Sequence, residues 1–194
     1  MGAIGNSQLK INMHSDSKNY WNSYYNKNLA PIKPSAFAEE CFGIIKKGLP
    51  VLEIGCGNCR DSNFFSLKNP VIAVDQSSNK DFSDPKVFFI KSSIENLPDI
   101  KSHYIYSRFF LHAIDEDAEN IFFDYIKRNC KEFFIEARSD KSIFVGDHYR
   151  RFINLNELEK KLDSYGFTFS YIESTGLAEF ENDDPYIIRI FGKV

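Results

Sequence analysis

The stretch VLEIGCGNCRDS, residues 51–62, decides the fold of this chain, and it allows two different interpretations. Cys56 and Cys59 form a C-x-x-C, which is the spacing of dithiol redox sites and of zinc sites. Gly55 and Gly57 form a G-x-G directly after an apolar run, which is how a nucleotide- or cofactor-binding turn begins. The rest of the chain has to decide between the two.

The cysteine interpretation lacks partners. A structural zinc ion needs four ligands, and no second Cys/His pair follows Cys56 and Cys59 at the spacing of a zinc finger. Glycines crowd the neighbourhood of the thiols, as in a turn made for a ligand. We therefore expect neither a metal site nor a redox role, and we expect reduced thiols. Cys56 is predicted to enter the core as a small apolar residue, and Cys59 to narrow the space beside a ligand.

Composition bounds the kind of protein. The chain has 194 residues, of which 43% are hydrophobic, enough for one domain with a sizeable core. A net charge of −3 argues against non-specific electrostatic binding of nucleic acid. No apolar run reaches the roughly 18 residues of a membrane span, and the N-terminus lacks the layout of a signal peptide. We therefore expect a cytoplasmic monomer or homodimer with neither a nucleic-acid nor a membrane partner.

Outward from the opening stretch, apolar strands alternate with amphipathic helices. Alternation of this kind predicts a parallel sheet with right-handed crossovers. No helical segment separates the last two predicted strands, so one of them is expected to run antiparallel. The sequence thus predicts a three-layer, Rossmann-like α/β fold of about seven strands with an antiparallel C-terminal hairpin. The predicted strands are 50–54, 71–75, 86–92, 103–107, 131–138, 168–175 and 185–194, and the predicted helices are 35–48, 60–69, 115–130 and 154–166.

The turn at residues 55–59 has the properties of a cofactor site. In an open α/β sheet, ligands lie beyond the carboxyl ends of the strands, where this turn falls. Gly57 has no Cβ, so a ligand can lie against the main chain. Asp75 ends the next strand, and its carboxylate can accept hydrogen bonds from both hydroxyls of a ribose. A dinucleotide turn requires glycine at its sixth position, where Arg60 stands, whereas S-adenosylmethionine (SAM) has no phosphate to place there.

These residues resemble a known family, the class I SAM-dependent methyltransferases, in its small-molecule, thiopurine-methyltransferase-like branch. VLEIGCGNCRDS resembles the first motif of the family, acidic-x-Gly-x-Gly-x-Gly, with Cys59 at the third glycine. VIAVDQS resembles the second motif, in which Asp75 binds the ribose and Gln76 adjoins it. FIKSSIENLP resembles the segment that binds adenine, with Ser93 in place of the usual aspartate.

The resemblance implies a division of the chain and a set of cofactor contacts. YWNSYY and PSAF are similar to an N-terminal lid, so residues 1–15 are expected to be loose, 16–48 to form lid helices, and 49–194 to form the SAM-binding catalytic domain. The implied contacts to SAM are Tyr25, Ser35, Glu53, Gly55, Gly57, Asp61, Asp75, Gln76, Ser93, Ile94 and Ser107.

Catalytic candidates follow the fourth strand, in IYSRFFLHAI, which resembles the loop that faces the transferred methyl group. His112 is either the general base for the acceptor's proton or a core or helix-cap histidine. Arg108 either captures an anionic acceptor or is an ordinary exposed arginine. The basic segment GDHYRRFI extends the candidates because arginine forks suit carboxylate and phosphate. The residues predicted to bind substrate are Trp21, Arg138, His148, Tyr149, Arg150 and Arg151.

Together these observations predict a SAM-dependent methyltransferase with a small or saccharide-linked, anionic acceptor. Methylation is expected at oxygen. The fourth-strand loop lacks the Asn/Asp-Pro-Pro-Tyr/Phe of amino-group methylases of adenine or glutamine, which argues against those nitrogen acceptors and leaves other nitrogen acceptors open. The resemblance extends to methyltransferases that decorate bacterial capsules or surface polysaccharides. Three alternatives stay open: a SAM-binding sensor or subunit without catalysis, an RNA methyltransferase, and a nicotinamide-linked reductase.

Overall fold

The computed structural model describes residues 20–21, 23, 31–77, 86–142, 151–178 and 184–194. Residues 20, 21 and 23 are helical. Several predictions fall outside the described residues: the loose N-terminal stretch 1–15, the cofactor contact Tyr25, and the substrate-binding residues His148, Tyr149 and Arg150.

From residue 31 onward, strands alternate with helices over much of the described chain, as predicted. The helices are α1 (Ala36–Ile44), α2 (Arg60–Phe65), α3 (Glu116–Asn129) and α4 (Leu155–Tyr165). The strands are β1 (Val51–Ile54), β2 (Val71–Asp75), β3 (Val87–Lys91), β4 (Tyr104–Arg108), β5 (Glu132–Arg138), β6 (Thr168–Ser174) and β7 (Ile187–Lys193). Two 3₁₀ turns cover Ile94–Asn96 and Leu111–Ala113.

The seven described strands form one sheet in the order β3-β2-β1-β4-β5-β7-β6. Strands β1 to β5 pair in parallel, and β7 pairs antiparallel with both β5 and β6. This confirms the predicted α/β sheet and its antiparallel hairpin, with β7 as the reversed strand. Since Ile187 pairs with Arg138, the first residues of β7 lie at the edge where β5 ends.

Local sequence signals set most helix starts. The side chains of Ser35, Asp115 and Asn154 each accept a main-chain hydrogen bond from the residue three positions on, which satisfies an otherwise unpaired N–H. Helix α1 ends at Ile44, before the predicted Gly48. The reason is a distant contact, because Lys68 Nζ and Asn69 Nδ2 donate to the main-chain carbonyls that follow α1.

Both faces of the sheet are covered. One face packs Leu52, Ile105 and Phe133 against α3 and α4, while the other packs Val51, Tyr106 and neighbouring aromatics against α1 and α2. Burial on both faces explains why the central strands are apolar without alternation. None of the described helices is long and apolar enough to span a membrane. Because β1, β2, β4 and β5 run parallel, their carboxyl ends lie at the same edge of the sheet.

Candidate functional site

The turn after β1 is fixed by its main chain. The N–H groups of Gly55 and Cys56 both donate to the carbonyl of Val74, at 2.8 and 3.0 Å, which ties the turn to β2. Gly55 has a φ of +78°, a left-handed backbone that favours glycine. A Cβ added there would lie 2.8 Å from Cδ2 of Phe110. Gly55 is thus required twice, by its backbone and by the ring that covers it.

Asp75 lies across the turn from Gly57. Its Oδ2 accepts a hydrogen bond from the N–H of Gly57 at 2.9 Å. Its Oδ1 accepts from the N–H of Ser77 at 2.8 Å and from the Ser77 hydroxyl at 2.5 Å. A carboxylate has about four acceptor sites, so Asp75 can take one more donor, or two if the Ser77 hydroxyl turns away. Gln76 lies between Asp75 and Ser77 in the chain. This capacity matches the two hydroxyls of a ribose.

The two cysteines of the turn face the core. Cys59 has a φ of +55° and precedes α2, and its Sγ lies 3.0 Å from the Sγ of Cys56. Both side chains are buried among apolar residues, and this burial raises the pKa of each thiol. The predicted core position of Cys56 is confirmed. Cys59 is buried as well, with its sulfur against Cys56, and its narrowing of the ligand space stays a prediction.

Glu53 is buried inside β1. The Ser62 hydroxyl of α2 donates a short hydrogen bond to its carboxylate. Burial raises the pKa of Glu53 well above its ordinary value, and the nearby charge of Asp61 adds to the effect, while the Ser62 hydrogen bond opposes it. These contacts show Glu53 bracing the turn against α2. Its contact with a cofactor stays a prediction.

Ser35 and Asp61, both predicted to contact the cofactor, are bonded to each other. The Asp61 carboxylate accepts from the Ser35 N–H at 2.7 Å, from the Ser35 hydroxyl at 2.7 Å and from the Tyr106 hydroxyl at 2.9 Å. All three side chains are buried. A buried carboxylate with three donors is a strong junction, and here it holds the segment before α1 against α2 and β4.

Three other predicted cofactor residues also have partners inside the chain. The Ser93 hydroxyl accepts from Asn96 Nδ2 at 3.1 Å, at the start of a 3₁₀ turn. The Ile94 side chain is buried in the core, which leaves its main chain as the predicted contact. The Ser107 hydroxyl donates to the carbonyl of Ile54 at 2.9 Å and so ties β4 to β1. Their contacts with a cofactor stay predictions.

The loop after β4 gathers several predicted residues around Phe109. Phe109 has a φ of +57°, a strained backbone for a bulky residue, and its N–H donates to the carbonyl of Glu136 at 2.7 Å. The guanidinium carbons of Arg108 and Arg138 lie 4.0 and 6.0 Å from the centre of its ring, and the His112 ring centre lies at 5.4 Å. No sequence signal singled out Phe109, because its role depends on its backbone angle.

His112 is buried and takes part in the fold. Its Nδ1 accepts a hydrogen bond from the Arg138 N–H at 3.2 Å, and its carbonyl accepts from the Arg151 N–H at 2.8 Å. A neutral imidazole that accepts at Nδ1 carries its proton on Nε2. This geometry supports the core or cap role among the two alternatives, and a role as general base would require the bond at Nδ1 to break.

The other two described residues that were predicted to bind substrate, Arg151 and Trp21, have their contacts elsewhere than around Phe109. The Arg151 guanidinium forms a short ion pair with Glu119, which also accepts from Lys161 Nζ at 2.7 Å. This trio joins the segment before α4 to α3 and α4. Trp21 lies edge-to-face against Tyr20, with ring centres 5.1 Å apart.

A cavity of about 340 Å³ opens at the carboxyl edge of the sheet, where β4 ends at Arg108. Residues 31–37, Arg60 and residues 177–178 line it together with Arg108, Glu136 and Arg189. Glu136 Oε1 accepts from Arg108 Nε at 2.7 Å, and Oε2 accepts from Arg189 Nε at 2.7 Å. Burial raises the pKa of Glu136, and the two guanidinium groups oppose the shift. Glu136 and Arg189 were missed in the sequence because only the strand pairing brings them together.

Comparison with solved structures identifies the fold as one found in SAM-dependent methyltransferases. The 1,6-didemethyltoxoflavin-N1-methyltransferase of Burkholderia thailandensis, solved with its ligand 1,6-didemethyltoxoflavin and S-adenosylhomocysteine, matches with a TM-score of 0.77 and 16% identity over 100% of this chain and 93% of that one. The magnesium protoporphyrin IX methyltransferase of Synechocystis PCC 6803, with bound S-adenosylhomocysteine, has a TM-score of 0.61 and 14% identity over 98% and 89%.

A third similar structure is phosphoethanolamine N-methyltransferase 2 of Haemonchus contortus, solved with phosphomonomethylethanolamine and S-adenosylhomocysteine. It has a TM-score of 0.61 and 19% identity over 81% of this chain and 51% of that chain. At identities this low, the structural similarity establishes a shared fold. No protein-family model matches the chain, and no curated protein matches its sequence.

Proposed function

We propose that this chain is a SAM-dependent methyltransferase acting on a small-molecule acceptor. The observation that carries the proposal is the pairing of Asp75 with the main chain of the glycine turn, at the carboxyl edge of the sheet. The full-length fold similarity to a methyltransferase solved with S-adenosylhomocysteine supports it.

The residues at this edge suit the cofactor. When bound, SAM supplies a methyl group on a positively charged sulfur. Asp75 has acceptor capacity left for ribose hydroxyls. Gly57 offers a main chain with no Cβ in the way, and the Ser93–Ile94 main chain follows the neighbouring strand β3, where the adenine is predicted.

Alignment is the main task left to the protein. With SAM bound, the residues of this chain would have to align the acceptor atom with the methyl group and take up the proton that the acceptor loses. Orientation of the acceptor supplies much of such a rate enhancement. Phe109, held in a strained backbone beside Arg108 and Arg138, is proposed to orient the acceptor. His112 as general base remains part of the proposal. In that role, the hydrogen bond from the Arg138 N–H to His112 Nδ1 would have to break first.

The finer part of the proposal is an anionic acceptor methylated at oxygen. The guanidinium groups around Phe109 support the anionic character, and the Haemonchus contortus structure with phosphomonomethylethanolamine offers a parallel within the same fold. Methylation at oxygen rests on the Ser-Arg-Phe-Phe sequence of the β4 loop. A saccharide-linked acceptor, and a place in capsule or surface-polysaccharide modification, rest on the sequence resemblance.

Calorimetry tests the cofactor, and isotope transfer tests the reaction. SAM and S-adenosylhomocysteine are expected to bind, and NAD is expected not to bind; NAD binding without SAM binding would end the proposal. Methyl-labelled SAM is then incubated with a small-molecule extract of the source cells, with boiled protein as control. Label is expected in a low-mass anion, whereas label in RNA would favour the RNA methyltransferase and label in neither would favour the non-catalytic binding protein.

A further inference from the structure

We infer that the cavity beside the glycine turn binds the carboxylate or phosphate group of the methyl acceptor, and that Arg108 holds this group. The inference rests on the proposed function in assigning the anion to a methyl acceptor. The capacity of the cavity to bind an anion follows from its own side chains.

The cavity has the position that an acceptor site requires. Arg60, which lines it, follows Gly57 by three residues, and Arg108 ends the strand beside β1. Residues 31–37 form another wall and are held there by the buried junction of Ser35 with Asp61. A volume of about 340 Å³ falls within the range of small-molecule pockets. The cavity therefore adjoins the predicted cofactor turn and has room for a small acceptor.

Positive charge predominates among the side chains that line the cavity. Four of them are cationic, and one is a carboxylate: Lys33, Arg60, Arg108, Arg189 and Glu136. The single carboxylate does not repel an incoming anion strongly, because each of its oxygens is already paired with a guanidinium Nε. Partial enclosure by protein strengthens the attraction of the cations for an anion.

Arg189 is fully used by the fold. Besides Glu136, it donates from Nη1 to Glu40 at 2.7 Å and from Nη2 to the carbonyl of Leu177. Its guanidinium carbon also lies 5.1 Å from the centre of the Phe37 ring. With all three nitrogens engaged and its side chain buried, Arg189 is a structural cation.

Arg108 differs from Arg189 in this respect. Its Nε donates to Glu136, and its guanidinium lies on the Phe109 ring. Within the described part of the chain, its two Nη groups make no hydrogen bond. Two parallel N–H donors on a planar fork match the two oxygens of a carboxylate or a phosphate. Glu136 and Phe109 thus position a guanidinium whose outer end remains available to a ligand.

Two further cations assist. Arg60 donates from Nη1 to the carbonyl of Lys33 at 3.2 Å, which fixes the wall formed by residues 31–37. The exposed Lys33 adds a charge at this wall. Two carboxylates lie just outside the lining: Glu40 pairs with Arg189, and Asp61 lies beside Arg60. Even when both are counted, the cations of the cavity outnumber the carboxylates.

A ligand-detected NMR titration tests the inference with three probes: inorganic phosphate, benzoate and the uncharged benzamide. Each is added to protein with and without saturating S-adenosylhomocysteine. The variants are Arg108→Gln and, as matched control, Arg128→Gln, which removes an exposed arginine paired with Asp99 at the surface. We expect benzoate or phosphate to bind the wild type and Arg128→Gln equally, and Arg108→Gln at least about tenfold more weakly, as for the loss of a charge-assisted hydrogen bond. The anion that binds more tightly names the group.

Equal anion binding by Arg108→Gln, or benzamide binding as tightly as benzoate, would overturn the inference. If Arg108→Gln fails to fold because Glu136 loses a partner, the double variant Arg108→Gln/Glu136→Gln removes the carboxylate as well and must show the same loss. The two proposals fail separately. Anion binding in a protein that never binds S-adenosylhomocysteine would refute the methyltransferase and keep the anion site, and the reverse pattern would refute the anion site alone.

Discussion

The glycine turn after β1 and the cavity beside it are built in opposite ways. The turn is held mainly by main-chain groups and the Asp75 carboxylate, within residues 55–77, with Glu53 bracing it against α2. The cavity uses long charged side chains from widely separated positions: Lys33, Arg60, Arg108, Glu136 and Arg189. A ligand held by the turn is recognised through close approach to backbone, whereas a ligand in the cavity is recognised through charge. This difference suits a fixed cofactor in one and a particular acceptor in the other.

If the turn depends on its backbone, one added methyl group should disturb it strongly. Gly55→Ala places a side chain at a φ of +78°, which costs about 1–2 kcal/mol, and 2.8 Å from Phe110, where overpacking costs about 1–3 kcal/mol. We expect the free energy of unfolding to fall by about 2–5 kcal/mol, as measured by urea denaturation.

Gly43→Ala is the matched control for this substitution. Gly43 lies in α1, and a Cβ added there meets nothing within 4 Å. Alanine is the better helix former, so a gain of about 0.5–1 kcal/mol is expected. Equal effects of the two substitutions would show that the turn has no special demand for glycine.

The next largest effect concerns the charge within the turn. Asp75→Asn keeps an acceptor for the N–H of Gly57 but removes the negative charge that would face ribose hydroxyls. A hydrogen bond to a charged group contributes about 1.5–3 kcal/mol, so calorimetry should show roughly 10- to 150-fold weaker SAM binding. Asp99→Asn, at an exposed acid far along the chain, serves as the control. Unchanged SAM affinity in Asp75→Asn would remove this carboxylate from the cofactor site.

The same contrast explains what could be predicted from the sequence. The positions of strands and helices along the chain, the Ser35 and Asn154 caps and the glycine turn follow signals carried by nearby residues. The early end of α1 did not, because Lys68 supplies its contacts from the turn after α2. The pairing of Arg108 with Glu136 and Arg189 also has no local signal, since it requires β7 to lie beside β5.

A smaller effect separates structure from binding at Glu53. Its folded pKa is raised by burial and by Asp61, so the folded protein holds this proton more tightly than the unfolded chain does. The ionised form therefore weakens the fold, and the stability contributed by the proton is lost as pH rises from the ordinary value of 4.5 toward the folded value. Glu53→Gln stays neutral, so we expect it to raise the melting temperature relative to wild type at pH 7 and to give a smaller difference at pH 4. A difference independent of pH would mean that Glu53 is ionised without penalty in the fold.

The smallest expected effect is at Cys59, where the sequence resemblance places a third glycine. Cys59→Gly relieves a positive φ at a non-glycine residue, a gain of about 1 kcal/mol, and loses a small buried side chain that touches Cys56, which is worth a similar amount. We expect unfolding free energies within about 1 kcal/mol of wild type for that reason, and SAM affinity unchanged, because the sulfur points into the core. SAM binding that tightens in Cys59→Gly would instead place the sulfur beside the ligand, and the turn would then recognise its cofactor partly through a side chain rather than through its backbone alone.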